Sequence, residues 1–299
     1  MLEPNEAADH AAETPRDSAT IVVLRQAERT VELFCVERHP RSQVLGGAIV
    51  FPGGKVDAAD WQDCWGELTT SLQPRARAFG EERAARAFAV AALRELLEEA
   101  AILPVTGAGV SHHTALELQS LLASVPGTEH EESLAFAELL RARGNRLATD
   151  RLEAIWRWIT PQVEARRYDT RFYLLALPEG QLGRHDERET TRSFWATPEQ
   201  LLERWGNSEI VLAPPTFCTI ALLRAARSVD EAFTIARRQS LQPICPVACF
   251  EGGQMVIALP GDPLHPDDAL EGSADASAPT RFVVEDGRLV AQRVQRPSR

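Results

Sequence analysis

The chain contains 299 residues, which is enough for one large domain or two ordinary ones with a buried core. Hydrophobic residues make up 44% and charged residues 25%, values typical of a globular protein and too apolar for a chain that is disordered throughout. Acidic side chains outnumber basic ones by 43 to 32, and the net charge of -11 argues against nucleic acid or an anionic membrane as a partner. We therefore expect a folded enzyme or binding domain that would need local arginines or metal ions to hold a polyanionic ligand.

Cysteine usage and the two termini give a first indication of location. The five cysteines form no C-x-x-C pair, and an odd number cannot all pair internally, which predicts reduced thiols and a cytoplasmic protein. No run approaches the roughly 18 apolar residues of a membrane-spanning helix, and the first residues lack the basic start and apolar stretch of a secretory signal. We interpret residues 1–17 as a disordered arm.

The first half of the chain predicts three strands and one long helix. Residues 20–24 and 31–36 are apolar runs that flank a polar turn and predict a β-hairpin. A third strand at 47–51 stops at Pro52-Gly53-Gly54, where the glycines predict a tight turn. From residue 82 to 101 the chain lacks Gly and Pro and repeats apolar residues at helical spacing, which predicts a helix.

The remainder alternates between predicted helices and strands. Residues 107–150 contain two predicted helices and resemble an inserted helical cap. Beyond them the pattern predicts strands at 155–159, 171–177, 191–196 and 255–259, helices from 198 and over 216–226, and a hairpin at 282–290. We interpret residues 18–260 as one domain and 261–299 as a loop and β-hairpin extension.

The long predicted helix carries three acids on one face. Glu95, Glu98 and Glu99 stand at i, i+3 and i+4. Repulsion among these carboxylates disfavours the metal-free site, and a hard divalent cation, which prefers oxygen ligands, removes that cost. Arg94 precedes Glu98 by four residues and can orient and partly neutralise the cluster. Taken alone, such a pattern is more often a solvated acidic face than a site.

A segment upstream of the helix favours a functional site over a solvated acidic face. The sequence resembles the Nudix box, G-x5-E-x7-R-E-U-x-E-E-x-G-U, where U is aliphatic. Gly54 and Asp60 match its first half with Asp for Glu, and residues 94–102 match its second half with Ala101 for Gly. The two halves are separated by residues 61–93, a far longer stretch than the x7 of the box, which predicts an insertion within the motif.

The interrupted box and its opening F-P-G-G-x-x-D-x-A-D are similar to the branch that includes the type-nineteen Nudix coenzyme A diphosphatases. The stretches at 158–161, 168–173, 195–198 and 212–216 are similar to that branch in order and spacing. The resemblance covers residues 18 to 262 and implies an α/β (α+β) Nudix fold, in which a mixed β-sheet is sandwiched between helices. Here it would carry helical insertions at about 61–93 and 107–150.

The same resemblance implies a Mg²⁺- or Mn²⁺-dependent pyrophosphohydrolase that cleaves a nucleoside diphosphate linked to another moiety, with coenzyme A or an acyl-CoA as candidates. Glu95, Glu98 and Glu99 are then carboxylate ligands of the metal. Gly53 contributes its carbonyl, and Arg94 braces the site. A metal ion bound there can bridge a pyrophosphate and activate an attacking water.

The general base and the substrate contacts stay open at this point. The base is one of the helix glutamates, among which Glu95 and Glu98 are the named candidates, or a carboxylate from another loop. Glu189 resembles the acid that Nudix domains place in a later loop but is equally typical of a solvated loop. Arg38, Arg167 and Arg171 are candidate phosphate or ribose contacts, although the last of these stands near Asp169 and suits a structural ion pair equally well. The insertions predict either a substrate lid or a dimer surface, so a homodimer is an open alternative.

Two other classes of function compete with an enzyme. A catalytically silent Nudix-like nucleotide-binding or regulatory module is favoured by Asp60, Ala101 and the long insertion. The retention of all three helix glutamates and of Arg94 argues against it. A plain α/β structural protein with an acidic helix would require every ordered match to be accidental.

Overall fold

The computed structural model describes residues 14–42, 46–126, 129–186, 190–267 and 278–295. Its strands are β1 (Arg16–Gln26), β2 (Val31–Arg38), β3 (Ala48–Val50), β4 (Gly53–Lys55), β5 (Val105–Thr106), β6 (Arg146–Leu147), β7 (Glu153–Ile159), β8 (Tyr168–Ala176), β9 (Thr190–Ala196), β10 (Val211–Leu212), β11 (Pro243–Ile244), β12 (Val247–Glu251), β13 (Gln254–Ala258), β14 (Arg281–Glu285) and β15 (Arg288–Gln292). Its helices are α1 (Trp65–Leu68), α2 (Pro74–Arg77), α3 (Glu82–Ala100), α4 (His112–Leu122), α5 (Glu129–Ala142), α6 (Pro198–Gly206), α7 (Pro214–Leu223) and α8 (Val229–Arg237), with short 3-10 turns at Ala58–Trp61 and Thr149–Arg151.

The main sheet has nine of the described strands and is mixed in direction. Its path runs β10-β3-β2-β1-β8-β7-β11, and β4 and β9 pair with β1 and β2 outside this path. β1 lies parallel to β8, from Arg16 opposite Tyr168 to Leu24 opposite Ala176, and antiparallel to β2 and β4. The hairpin of β1 and β2 and the mixed sheet are both confirmed.

Successive residues of β1 supply the two hydrophobic cores. Because side chains alternate along a strand, Ile21 and Val23 face one side of the sheet, where they pack in the core that contains α3. Val22 and Leu24 face the opposite side and pack in the core that contains α7 and α8. The predicted arrangement of a mixed sheet sandwiched between helices is confirmed.

Helix α3 follows the predicted bounds closely. Its buried side is rich in alanine near the start and in leucine near the end, and Leu93 and Leu97 are fully buried. The helix stops at Ala101, which adopts the left-handed conformation with φ 49° and ψ 42°. This is the position where the Nudix box has glycine, so the backbone conformation is retained although the residue differs.

The helical cap packs on the outer side of α3. Leu118 and Leu122 of α4 and Phe136 of α5 join the same core as α3, and Phe136 contacts Trp65 with ring centroids 5.9 Å apart. Both predicted helices between residues 107 and 150 are therefore confirmed. The stretch 61–93 is only partly an insertion outside the helix, because its last residues form the first turns of α3.

The C-terminal strands form a second, four-stranded antiparallel sheet in the order β12-β13-β14-β15. The predicted hairpin of β14 and β15 is confirmed. The sheet begins at Val247, however, so the predicted domain boundary at 260 falls inside it. Phe282 packs edge-to-face on Phe217 of α7 at 5.4 Å, which fastens this sheet to the main domain. Arg281 donates to both oxygens of Asp262 at 2.7 Å and ties β14 to the loop that follows β13.

Two sequence expectations about local structure were wrong. β1 begins at Arg16, within the predicted disordered arm 1–17, because the strand pairs with β8 from that residue on. Residues 1–13 of that arm lie outside the described residues. The expected glycine turn after β3 is instead the strand β4, whose Gly53 lies opposite Thr20. A Cβ at Gly53 would overlap the carbonyl oxygen of Ala19, so glycine is needed there for close strand approach and not for a turn.

Among the residues that the structure describes, no helix is both long enough and apolar enough to cross a membrane.

The end of α3 generates a stability prediction. Ala101→Gly should leave the free energy of unfolding within about 0.5 kcal/mol of wild type, because relief of the left-handed strain offsets the lost buried methyl group. Ala100→Gly, one residue earlier and in the helix, should lose about 1–2 kcal/mol because it gains no such relief. Urea denaturation of both variants measures the difference, and equal losses would contradict the backbone argument.

Candidate active site

The site is built where the short strand β4 lies against α3. The side chain of Glu95 covers Gly54 so closely that a Cβ at this glycine would overlap the carboxylate. The amide of Gly53 donates to Glu99 Oε2 at 3.0 Å. The structure therefore brings together the glycine segment and the acidic helix face, which lie about 40 residues apart in the sequence.

Arg94 is the central side chain of this site. The residue is 4% exposed. Nε and Nη2 donate to the two oxygens of Asp60 at 3.2 and 3.0 Å, and Nη2 also donates to the carbonyl of Lys55 at 3.0 Å. Nη1 donates to Glu95 Oε1 at 2.9 Å and to Glu98 Oε2 at 3.1 Å. One arginine thus ties the 3-10 turn, β4 and the acidic face of its own helix.

Asp60 takes the position of the longer glutamate in the Nudix box. It is 1% exposed, and its Oδ2 accepts from the amide of Asp57 at 2.8 Å. The Asp57 side chain in turn accepts from the amide of Ala59, so the two aspartates form a reciprocal capping box at the 3-10 turn. This turn holds the backbone close enough to Arg94 for an aspartate to form a two-point ion pair.

The charges of this network follow from burial and proximity. Burial by itself would lower the pKa of Arg94, but the carboxylates of Glu95, Asp60 and Glu98 outweigh it and raise that pKa well above its usual value. Arg94 therefore stays protonated. Burial raises the pKa of Asp60, and this increase is opposed by Arg94 and by the Asp57 amide.

The donor chemistry of the acidic face fits a hard divalent cation. Glu95, Glu98 and Glu99 offer carboxylate oxygens, which Mg²⁺ and Mn²⁺ prefer, and they lie near the C-terminal, negative end of the α3 dipole. In the described part of the chain, no three His, Cys, Asp or Glu side chains are gathered as a ready-made metal site. Arg94 and the Gly53 amide engage the three carboxylates here, so the metal-ligand roles of these residues and of the Gly53 carbonyl stay predictions.

The three candidate arginines are placed differently from one another. Arg38 lies at the end of β2, is half-buried, and its Nε donates to Ser42 Oγ at 3.4 Å. Arg167 is 7% exposed and donates to the Thr160 carbonyl at 3.1 Å. Of the three, only Arg38 has an environment that suits a substrate contact, and this role stays a prediction.

Arg171 does not suit the predicted role of a substrate contact. Its guanidinium is buried, bonds to Asp17 at 2.6 Å and lies 3.3 Å from Asp169. It also stacks over the ring of Phe88 at 3.8 Å. The structure supports the alternative, a structural ion pair that fastens β1, β8 and α3. Glu189, the other candidate base, lies outside the described residues.

Sequence reasoning missed two groups that reach this site. The Asp57-x-x-Asp60 spacing is a capping-box pattern and could have identified Asp57 as the partner that orients Asp60. Gln119 of α4 donates through Nε2 to the carbonyl of Glu98 at 2.8 Å. No local signal predicts this contact, because it depends on how the inserted helix packs.

A mixed sheet between helices, with a glycine strand facing an Arg-Glu-x-x-Glu-Glu helix, defines a domain of the Nudix hydrolase class. The model of the NUDT19 Nudix domain matches residues 7–223, and the chain therefore belongs to the NUDT19 Nudix domain family.

Full-length relatives and a solved structure agree with this assignment. The chain is similar to the acyl-coenzyme A diphosphatase NUDT19 of Gallus gallus, with 29% identity over 302 residues that cover 85% of this chain and 78% of that protein. It is 27% identical to the Homo sapiens protein of the same name, with 86% and 78% covered. The crystal structure of a NUDIX hydrolase from Alicyclobacillus acidocaldarius shares 27% identity with a TM-score of 0.59, covering 74% of this chain and 96% of that one.

The two glycines of β4 should respond differently to alanine. In Gly54→Ala the atoms nearest the new methyl group belong to the Glu95 carboxylate, the far end of a flexible side chain, so we expect near-normal stability with a displaced carboxylate and at least a tenfold loss of Mn²⁺ affinity. In Gly53→Ala it meets the backbone of Ala19 and should lower the free energy of unfolding by about 2 kcal/mol or more. Isothermal titration with Mn²⁺ and urea denaturation of both variants would test this, and unchanged Mn²⁺ binding in Gly54→Ala would contradict it.

Removing the charge of Asp60, one of the three carboxylate partners of Arg94, should lower stability. Asp60→Asn leaves the buried guanidinium with less compensation, and we expect the free energy of unfolding to fall by about 2–4 kcal/mol. The control is Asp63→Asn, which removes an aspartate from an ion pair with Arg83 that is largely exposed and should change stability little. Thermal and urea unfolding of the two variants would reveal the contrast, and similar behaviour would show that the buried pair does not brace the site.

Proposed function

We propose that this chain is a divalent-metal-dependent pyrophosphohydrolase that cleaves a nucleotide-linked diphosphate, with coenzyme A or an acyl-CoA as the first candidates. The observation that carries the proposal is the assembly of Arg94, Glu95 and Glu98 against the glycine strand β4. The names of the chicken and human relatives support the choice of coenzyme A thioesters.

The acidic face has a clear electrostatic consequence for substrate binding. Glu95, Glu98 and Glu99 repel a diphosphate as long as their charge is offset only by Arg94 and by backbone amides. These carboxylates would hold a Mg²⁺ or Mn²⁺ ion, whose chemistry there would be to offset negative charge and to lower the pKa of an attacking water. A diphosphate would bind only after the carboxylates have done so.

The glycine strand has a separate role in this proposal. Gly53 and Gly54 carry no side chains, so Glu95 and Glu99 can lie directly against the backbone of β4. Arg94 fixes the direction of Glu95 and Glu98, because its own position is set by Asp60 and the Lys55 carbonyl. Proton transfer from the attacking water would fall to a carboxylate oxygen of Glu95 or Glu98, or to Glu189.

The substrate class can be tested by product analysis. The purified protein with Mg²⁺ or Mn²⁺ should split coenzyme A or acyl-CoA into a nucleotide half and a phosphopantetheine half. Reaction in ¹⁸O-labelled water should place one label on one of the two products, because water attacks a single phosphorus. Parallel assays with ADP-ribose and dinucleoside polyphosphates identify a different linked nucleotide. Binding that protects against thermal unfolding without any product would favour the silent module instead.

Glu98→Gln gives the sharpest test of the site. The variant keeps the size of the side chain but loses its charge, and we expect turnover to fall by about 100-fold or more with folding intact. The matched control is Glu82→Gln on the same helix, where an exposed glutamate forms an ion pair with Arg86. Steady-state kinetics with coenzyme A should separate the two, and full activity of Glu98→Gln would refute the proposed site.

A further inference from the structure

The acids of the proposed metal site lie at the end of a helix. Glu98 and Glu99 belong to the last turn of α3, which stops at Ala100. The last four carbonyl groups of an α-helix have no partner within the helix, and terminal turns fray unless these groups are satisfied from elsewhere. The geometry of these two glutamates therefore depends on what holds the end of α3.

Three carbonyl groups at the end of α3 accept hydrogen bonds from donors in three different parts of the chain. The carbonyl of Leu97 accepts from the amide of Ala101 at 3.0 Å, which is the local left-handed cap. The carbonyl of Ala100 accepts from the amide of Arg184 at 2.7 Å, in the loop before β9. The carbonyl of Glu98 accepts from the side chain of Gln119 at 2.8 Å, and this donor comes from the inserted helix α4.

The packing of α4 fixes the direction of Gln119. Ala115, Leu118 and Leu122 are buried in the core shared with α3, and Gln119 is the half-buried residue beside this stripe. Ser111 caps the helix by accepting from the amide of Thr114 at 3.2 Å. The amide of Gln119 is therefore delivered by a rigid element and does not depend on a flexible loop.

A second contact fastens the insertion to the same region. Gln181 is 4% exposed, exchanges hydrogen bonds with both backbone groups of Leu103, and donates to the carbonyl of Val110 at 2.9 Å. It thereby joins the segment that follows α3, the start of the insertion and the loop that carries Arg184. The insertion around α4 is thus bonded directly to the end of the catalytic helix.

We propose that Gln119 is a positioning residue for Glu98, and that the inserted helix α4 sets the divalent-cation affinity of the site through it. The inference rests on the proposed function, because it takes Glu98 as a metal ligand. An N–H donor at the carbonyl end of α3 offsets the negative end of the helix dipole, where three carboxylates already gather. It also holds the backbone of Glu98 at the register that Arg94 requires.

The test compares two glutamine-to-leucine variants of the full chain. Gln119→Leu removes the donor to Glu98 and leaves an apolar side chain that is one atom shorter. Gln73→Leu is the matched control, since Gln73 donates in the same way to a backbone carbonyl, that of Asp150, at 2.6 Å and away from α3. Mn²⁺ binding is read directly from the loss of the free-ion signal in electron paramagnetic resonance, alongside thermal unfolding and kcat against KM for coenzyme A.

We expect Gln119→Leu to weaken Mn²⁺ binding by about 2- to 10-fold, the effect of losing one hydrogen bond, and Gln73→Leu to leave it unchanged. Gln119→Met keeps the length of the glutamine side chain without a donor, so it should weaken Mn²⁺ binding to a similar extent. This second variant decides the matter if Gln119→Leu does not fold. A lower melting temperature with unaltered Mn²⁺ affinity in both variants would overturn the proposal, because it would show a structural role only.

Glu98→Gln separates the failure of this inference from the failure of the proposed function. If Glu98→Gln loses Mn²⁺ binding while both Gln119 variants bind as wild type, only the positioning role is wrong. If Glu98→Gln binds Mn²⁺ like wild type, or if the wild-type protein binds none, the metal site itself is wrong and the inference falls with it.

Discussion

The buried guanidinium of Arg94 is the interaction on which the rest of the site depends. A charge at this depth is tolerated only when it is paired and fully hydrogen-bonded, and here three carboxylates and one backbone carbonyl satisfy it. Satisfying it requires the 3-10 turn with Asp60, the strand β4 with Lys55, and the helix α3 to meet at one point. The architecture around the site is therefore organised by a need for charge compensation as much as by apolar burial.

Local backbone geometry compensates for the residues in which this chain differs from the Nudix box. Asp60 is shorter than the usual glutamate, and the capped 3-10 turn compensates by bringing its backbone closer to Arg94. Ala101 replaces a glycine and still adopts the left-handed conformation that ends α3. The long stretch between the halves of the box costs little in chain entropy, because loop-closure entropy grows only slowly with length. These residues therefore do not favour a silent module on structural grounds.

Much of the fold was readable from the sequence, and the exceptions have physical causes. α3, the β1–β2 hairpin and the β14–β15 hairpin follow from periodicity and turn residues, which are local signals. β4 was misread as a turn because glycine signals both turns and close strand approach, and only the partner strand distinguishes them. Likewise the sequence placed Arg94 and the glutamates together by motif, but Arg171's burial and Gln119's contact depend on tertiary packing that no local pattern encodes.

The nitrogens of Arg94 bond different partners, which would allow the proposed site to exist both without and with a bound cation. Nη1 is the only nitrogen that bonds Glu95 and Glu98, whereas Nε and Nη2 bond Asp60 and the Lys55 carbonyl. The two glutamates could therefore turn toward a cation without dislodging the guanidinium, since three of its five hydrogen bonds lie on the other side. Arg94 would then stay in place as a fixed positive charge that limits the repulsion among the acids before the cation arrives. An arginine held only by Glu95 and Glu98 would instead have to leave a buried position each time the carboxylates changed partner, at a desolvation cost that favours one state over the other.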